Sequence, residues 1–120
     1  MRKTFRIKKP AEFQKVFDHH QSVANKYFVL YRLKKQEQKH FRLGLSVGKK
    51  IGKAHDRVHV KRRIRQSFLE LKPLIDSETD ILVIARPAVA HQSQAFIKQQ
   101  LEHVLKLANL LKEDSHGSTK

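Results

Sequence analysis

The segment Phe41–Leu71, FRLGLSVGKKIGKAHDRVHVKRRIRQSFLEL, changes its hydrophobic period partway along, and that change sets the architecture. From Phe41 to Gly48 the period is two. Phe41, Leu43, Leu45 and Val47 point one way, and Arg42, Gly44, Ser46 and Gly48 point the other, as in a strand with one buried face. Gly48–Gly52 reads as a loop. Beyond it the period lengthens, and a helix is predicted from about Lys53 to Leu71, since Pro73 cannot continue one. At 100° per residue, Val60, Ile64, Phe68 and Leu71 share one sector, suited to docking on a sheet. Lys61, Arg62 and Arg65 fill an adjacent cationic sector, with Arg57 nearer the apolar one but in the first turn.

Upstream, Pro10 opens a short amphipathic helix over 10–19 carrying Phe13, Val16 and Phe17. Residues 26–33, KYFVLYRL, read as a strand, and the polar run Lys34–His40 as a hairpin-like connection. Downstream, ILVIAR (residues 81–86) is apolar at nearly every position, as expected of a central strand buried on both faces. Ile97, Leu101, Val104, Leu105, Ala108 and Leu111 stripe a last helix over about 92–111. The predicted order is helix, two or three antiparallel strands, helix, strand, helix. That is an α+β fold with a single antiparallel or mixed sheet, in a two-layer sandwich, forming one domain over residues 1–111 with a polar tail at 112–120.

The charge distribution narrows the function. Lys49–Arg65 holds eight Lys or Arg and one acid, Asp56, and the whole chain carries a formal net charge of +15. Like charges crowded along one element repel, and a polyanion that pairs with them removes the penalty. RNA phosphates are the expected partner, with Arg suited to two-point phosphate contacts and Lys acting as a point charge. The lead-in loop adds Lys49, Lys50 and Lys53 beside two glycines that permit close backbone approach. The alternative is a solvated charged face. No apolar run approaches the length of a membrane span, and the absence of cysteine excludes disulfides and thiolate metal sites and fits a reducing cytoplasm.

A second candidate is the open face of the Phe41–Gly48 strand. Arg42, Gly44 and Ser46 make it small and polar, so a groove is expected there. Phe13 and Phe17 lie one turn apart on the first helix, with Tyr27 and Tyr31 on a neighbouring strand. Bases stack on such rings while phosphates meet cations, although ordinary core packing also explains the helical spacing. His55 and His59 are four apart, but no third metal ligand stands near them in the sequence. The acids are scattered and no nucleophile motif is visible, so neither catalytic nor metal-binding residues are assigned to the protein.

The segment GKAHDRVHVKRRIR, Gly52–Arg65, resembles the signature helix of the bacterial ribonuclease P protein subunit, an Arg-Asn pair followed by Lys-Arg and then Arg. The likeness extends over nearly the whole chain, through RIKKPAEFQKVF, SVANKYFVLY, FRLGLSVGKKIG, ILVIARPA and LEHVLKLA. The resemblance implies a cytoplasmic, RNA-based endoribonuclease that removes 5′ leaders from precursor tRNA, with catalysis and most bound Mg²⁺ belonging to the RNA subunit. It matches Arg57, Lys61, Arg62 and Arg65 to the RNA-binding helix. Phe13, Phe17 and Tyr31 match the aromatic residues of the leader-binding cleft, and Ser46, Lys49 and Lys50 the adjoining strand end and loop. Lys53 and Arg42 complete the expected RNA-binding set. The resemblance also implies a left-handed β-α-β crossover around the basic helix, against the usual right-handed rule. Val58 stands where the family pattern has Asn, which removes an amide donor and acceptor. A non-enzymatic, ribosomal-type RNA-binding protein is the alternative reading.

Overall fold

The computed structural model describes residues 5–7, 9–18 and 21–112. Three α-helices and four strands follow the order α1 (Pro10–Asp18), β1 (Ser22–Ala24), β2 (Phe28–Lys34), β3 (Arg42–Ser46), α2 (Ala54–Leu71), β4 (Thr79–Ala85) and α3 (Gln94–Leu107). The strands form one mixed sheet in the order β1-β2-β4-β3. β4 runs antiparallel to β2, placing Leu30 opposite Val83, and parallel to β3, placing Leu45 opposite Val83. The Lys34–His40 connection is therefore not a hairpin: β2 and β3 do not pair, because the apolar β4 is inserted between them. A strand apolar on both faces is stable only where both faces are covered, which puts β4 inside the sheet.

The predicted 26–33 strand begins only at Phe28, and a short strand that the pattern did not predict precedes it. Asn25 folds its side chain back so that Oδ1 accepts the backbone N–H groups of Tyr27 and Phe28, at 2.8 and 2.9 Å. That turn separates the short edge strand β1 from β2.

Alternation fixes what lies on each face. Phe28 and Leu30 of β2, Leu43 of β3, and Ile81, Val83 and Ala85 of β4 pack against Val60, Ile64 and Phe68 of α2 and against Ile97, Leu101 and Val104 of α3. Each such large side chain contributes about 1.5–3 kcal/mol on burial. The other face holds a smaller cluster in which Ile7, Val16 and Leu82 are buried and Phe13, Tyr31, Leu33 and Ile84 half-buried. α1 thus adds a partial third layer to the expected two-layer sandwich.

The element ends have local causes. Pro73 forces α2 into a 3-10 turn at Lys72–Leu74. The Ser93 hydroxyl caps α3 by accepting the Phe96 N–H at 3.1 Å. Of the tail set at 112–120, Lys112 N–H donates to the Leu74 carbonyl at 2.6 Å, and residues 113–120 lie outside the described residues.

Candidate nucleic-acid interface

The basic helix is presented by a tightly built entry. Ile51 is buried and anchors the 3-10 turn Lys49–Ile51, leaving Lys49 and Lys50 exposed at the strand-to-helix passage. Gly52 has φ 151°, a region that L side chains avoid, and a Cβ there would stand 2.7 Å from the Asp56 carboxylate. That close approach lets Asp56 Oδ2 accept the backbone N–H of Lys53 at 3.1 Å and fasten the first turn of α2. The one acid within Lys49–Arg65 is therefore occupied by capping, with His55 Nε2 at 3.3 Å as its other neighbour. The other acid of α2, Glu70, pairs with Lys98 at 3.1 Å and accepts from Gln66 at 2.8 Å, and both contacts hold its carboxyl below the usual range.

Arg57, Lys61, Arg62 and Arg65 consequently face no carboxylate within ion-pair distance among the described residues. Among the described residues the buried Arg57 Nε–H finds no hydrogen-bond partner, an unmet donor at the head of the ridge. Burial, and secondarily the nearby Arg6 guanidinium, make charge on Arg65 more expensive and push its pKa below the ordinary arginine value. No periodic signal in the sequence marks Arg6 as part of the ridge. Its placement follows from a parallel bridge to Leu43, reinforced by Ile7 N–H donating to the Leu43 carbonyl at 3.0 Å. The ridge thus runs along the β3 edge of the sheet. Arg63 leaves it: its guanidinium donates to the Gln92 carbonyl at 3.1 Å, and its own carbonyl accepts from Gln94.

On the α1 face the structure modifies the expected groove. Gly44 is covered rather than open, because the Phe13 ring lies so close that a Cβ at 44 would meet it at 2.6 Å. Arg42 is turned inward. It contacts the fully buried Asp80 through Nε and Nη2, at 3.0 and 2.7 Å, and Glu12 through Nη2 at 2.8 Å. Those bonds raise the Arg42 pKa against the opposing effect of burial. Arg42 therefore neutralises an internal acid instead of adding free charge to the surface. Phe17 is 43% exposed and meets Tyr31 with ring centroids 4.8 Å apart, so these two rings form an accessible aromatic step beside Phe13. Ser46 is exposed at the end of β3, leading into Lys49 and Lys50. Tyr27 lies elsewhere, edge-on to Phe96 of α3 at 4.9 Å.

The His55 and His59 rings stand 5.9 Å apart, edge to face, and no group of three His, Asp or Glu is placed to hold a metal ion among the described residues. No helix of the described residues is long and apolar enough to cross a membrane. The arrangement offers unpaired cations, exposed rings and unengaged loop lysines, which is equipment for binding a polyanion.

The chain has relatives among known proteins. The profile of the Ribonuclease P family matches residues 1–109. The chain is 70% identical to the ribonuclease P protein component of Leuconostoc mesenteroides, over 96% of this chain and 99% of that protein. It is 74% identical to that of Leuconostoc citreum, over 93% and 97%. Among solved structures, the RNase P protein of Staphylococcus aureus superposes with a TM-score of 0.83 at 44% identity, covering 90% of this chain and 98% of that one. The RNase P protein from Thermotoga maritima gives 0.77 at 30% identity, covering 85% and 96%.

Proposed function

This chain belongs to the bacterial ribonuclease P protein family, and from that premise we propose how its surface serves the enzyme. It is the protein subunit of an endoribonuclease of tRNA processing whose other subunit is RNA. The cationic ridge Arg57–Lys61–Arg62–Arg65, with Lys49, Lys50 and Lys53 at its head, binds phosphates of the catalytic RNA. The observation that carries this reading is the lack of any carboxylate pairing with the ridge among the described residues, although the chain contains eleven acids. A solvated structural face would interleave acids with its bases.

The aromatic step of Phe13, Phe17 and Tyr31 receives the 5′ leader of precursor tRNA, whose unpaired bases stack on exposed rings. Mature tRNA lacks the leader and loses those contacts, so substrate is favoured over product by differential binding. The Mg²⁺ on which the RNA depends is held by the RNA. Asp56, Glu70, Glu12 and Asp80 are engaged in capping or ion pairs and do not form a cation cage. The protein's contribution is electrostatic: it lowers the repulsion between two folded RNAs, so that fewer metal ions are needed for them to associate. We place this work in the cytoplasm.

Reconstitution tests the proposal. Catalytic RNA is assayed for leader removal at low Mg²⁺ and physiological salt, with and without the purified chain. Cleavage that becomes efficient only with the chain supports the reading. Cleavage indifferent to the chain, or cleavage by the chain without RNA, overturns it.

A further inference from the structure

The cationic ridge does not end at Arg65. Lys72 flanks the C-terminal end of α2 with helical backbone angles, and helical geometry returns it to the sector of Arg57, Lys61 and Arg65. Its ammonium stands 4.6 Å from the centroid of the Phe5 ring, and Phe5 in turn stacks on His40 at 4.0 Å and 23°. Arg6, next to Phe5, is the residue whose charge reaches Arg65. The segment 5–7 therefore joins the ridge to the loop entering β3.

Between that loop and the Lys72–Leu74 turn lies a cleft of about 450 Å³. Lys39, His40, Lys72 and Lys112 line its rim, the exposed Pro73 covers the buried Phe41 and Ile75 at its floor, and no Asp or Glu lines it among the described residues. Lys39 and Lys72 make no ion pair among the described residues. An ammonium lying over a ring is held in place, yet its N–H donors stay unsatisfied by any carboxylate. Converging lysines around an apolar floor raise their mutual repulsion, which an anion carrying a flat apolar group removes.

We infer that this cleft binds an unpaired nucleotide of RNA, with its phosphate at Lys39 and Lys72 and its base against Pro73 and the neighbouring apolar surface. The inference rests on the RNA-binding role proposed above and extends the contact surface past the α2 ridge to the far end of the helix. The nucleotide comes either from the catalytic RNA or from the precursor tRNA, and the measurements separate the two.

Affinity is measured across a salt series for the chain with catalytic RNA, and then for the holoenzyme with precursor tRNA. Lys72→Ala and Lys39→Ala are compared with Arg65→Ala and Lys72→Arg. Each alanine variant in the cleft is expected to weaken binding about 3- to 10-fold and to reduce the salt slope by about one, while Lys72→Arg retains both. A loss in the first titration identifies the catalytic RNA as the source, and a loss confined to the second identifies the precursor. If Arg65→Ala weakens binding and the cleft variants change neither titration, the inference is overturned and the ridge stands. If Arg65→Ala also changes nothing, the ridge itself fails.

The chain has no cysteine, so Ser77→Cys, at a lining residue outside the proposed phosphate contact, provides a unique attachment point for an iron chelate. Hydroxyl-radical cleavage focused on unpaired nucleotides supports the cleft. Cleavage restricted to base-paired helices overturns it.

Discussion

Arg42 grips the fully buried Asp80 through two contacts, 3.0 and 2.7 Å, and the same Nη2 reaches Glu12 at 2.8 Å. One guanidinium therefore ties β3, β4 and α1 together. Removing it leaves a buried carboxylate without a counter-charge. Arg42→Ala is expected to destabilise the fold by about 3–5 kcal/mol in urea denaturation. The double variant Arg42→Met with Asp80→Leu is expected to recover most of that loss, since apolar groups of similar volume replace the pair without stranding a charge. A single-variant loss below about 1 kcal/mol contradicts the role assigned to the pair.

The same contact makes the seating of α1 dependent on pH. The hydrogen bond from Arg42 outweighs burial and holds the Glu12 carboxyl below the usual range. A depressed carboxylate pKa stabilises the fold above the unfolded value, near 4.3, and that contribution disappears as pH falls through the folded value. Glu12 is partly solvated, so the effect is no more than about 1 kcal/mol. Wild type is expected to exceed Glu12→Gln in stability at pH 7, with the gap closing below about pH 4. A gap that widens on acidification contradicts this account.

Lys61→Ala and Arg65→Ala are expected to weaken catalytic RNA binding and to lower its salt slope by about one each, with little change in thermal stability. Arg65 further predicts a gain: folded protein carries the Arg6–Arg65 repulsion, so Arg6→Gln is expected to leave stability unchanged or raise it while weakening RNA binding. A salt slope insensitive to all three substitutions argues against direct phosphate contact.

Phe17→Ala removes an exposed ring, so the fold is expected to survive it. Loss of one base stack costs about 1–3 kcal/mol, and that loss is expected in precursor tRNA binding to the holoenzyme and not in mature tRNA binding. Equal weakening for both RNAs assigns Phe17 to packing instead.

The sequence made the local elements readable and the long-range pairings much less so. Alternation in Phe41–Val47 correctly separated the buried Leu43 from Arg42, and the wheel of α2 separated Val60, Ile64 and Phe68 from the cations. Both signals arise from spacing within one element. Sequence alone groups Arg42 with the RNA-binding cations because its partner Asp80 lies 38 residues away, and no local pattern marks one acid among eleven as the buried one. Gly44 makes the polar strand face look open in the sequence, yet the room it leaves is what admits Phe13. The insertion of β4 between β2 and β3 was equally invisible, since strand order follows from packing of the whole sheet. At the interface, helical spacing revealed the ridge, whereas the contributions of Arg6 and Lys72 depend on where residues 5–7 cross β3.

That crossing has a consequence for solubility. An outer strand with unpaired amides invites a neighbouring molecule to add to the sheet, and β3 is such a strand on its outer side. Residues 5–7 lie across it in parallel, filling the Leu43 carbonyl and placing a cation where a second copy would have to stack. Trimming the chain to begin at Pro10 therefore uncovers a sticky margin as well as discarding charge, and the shortened protein is expected to form oligomers at concentrations where the full chain stays dispersed.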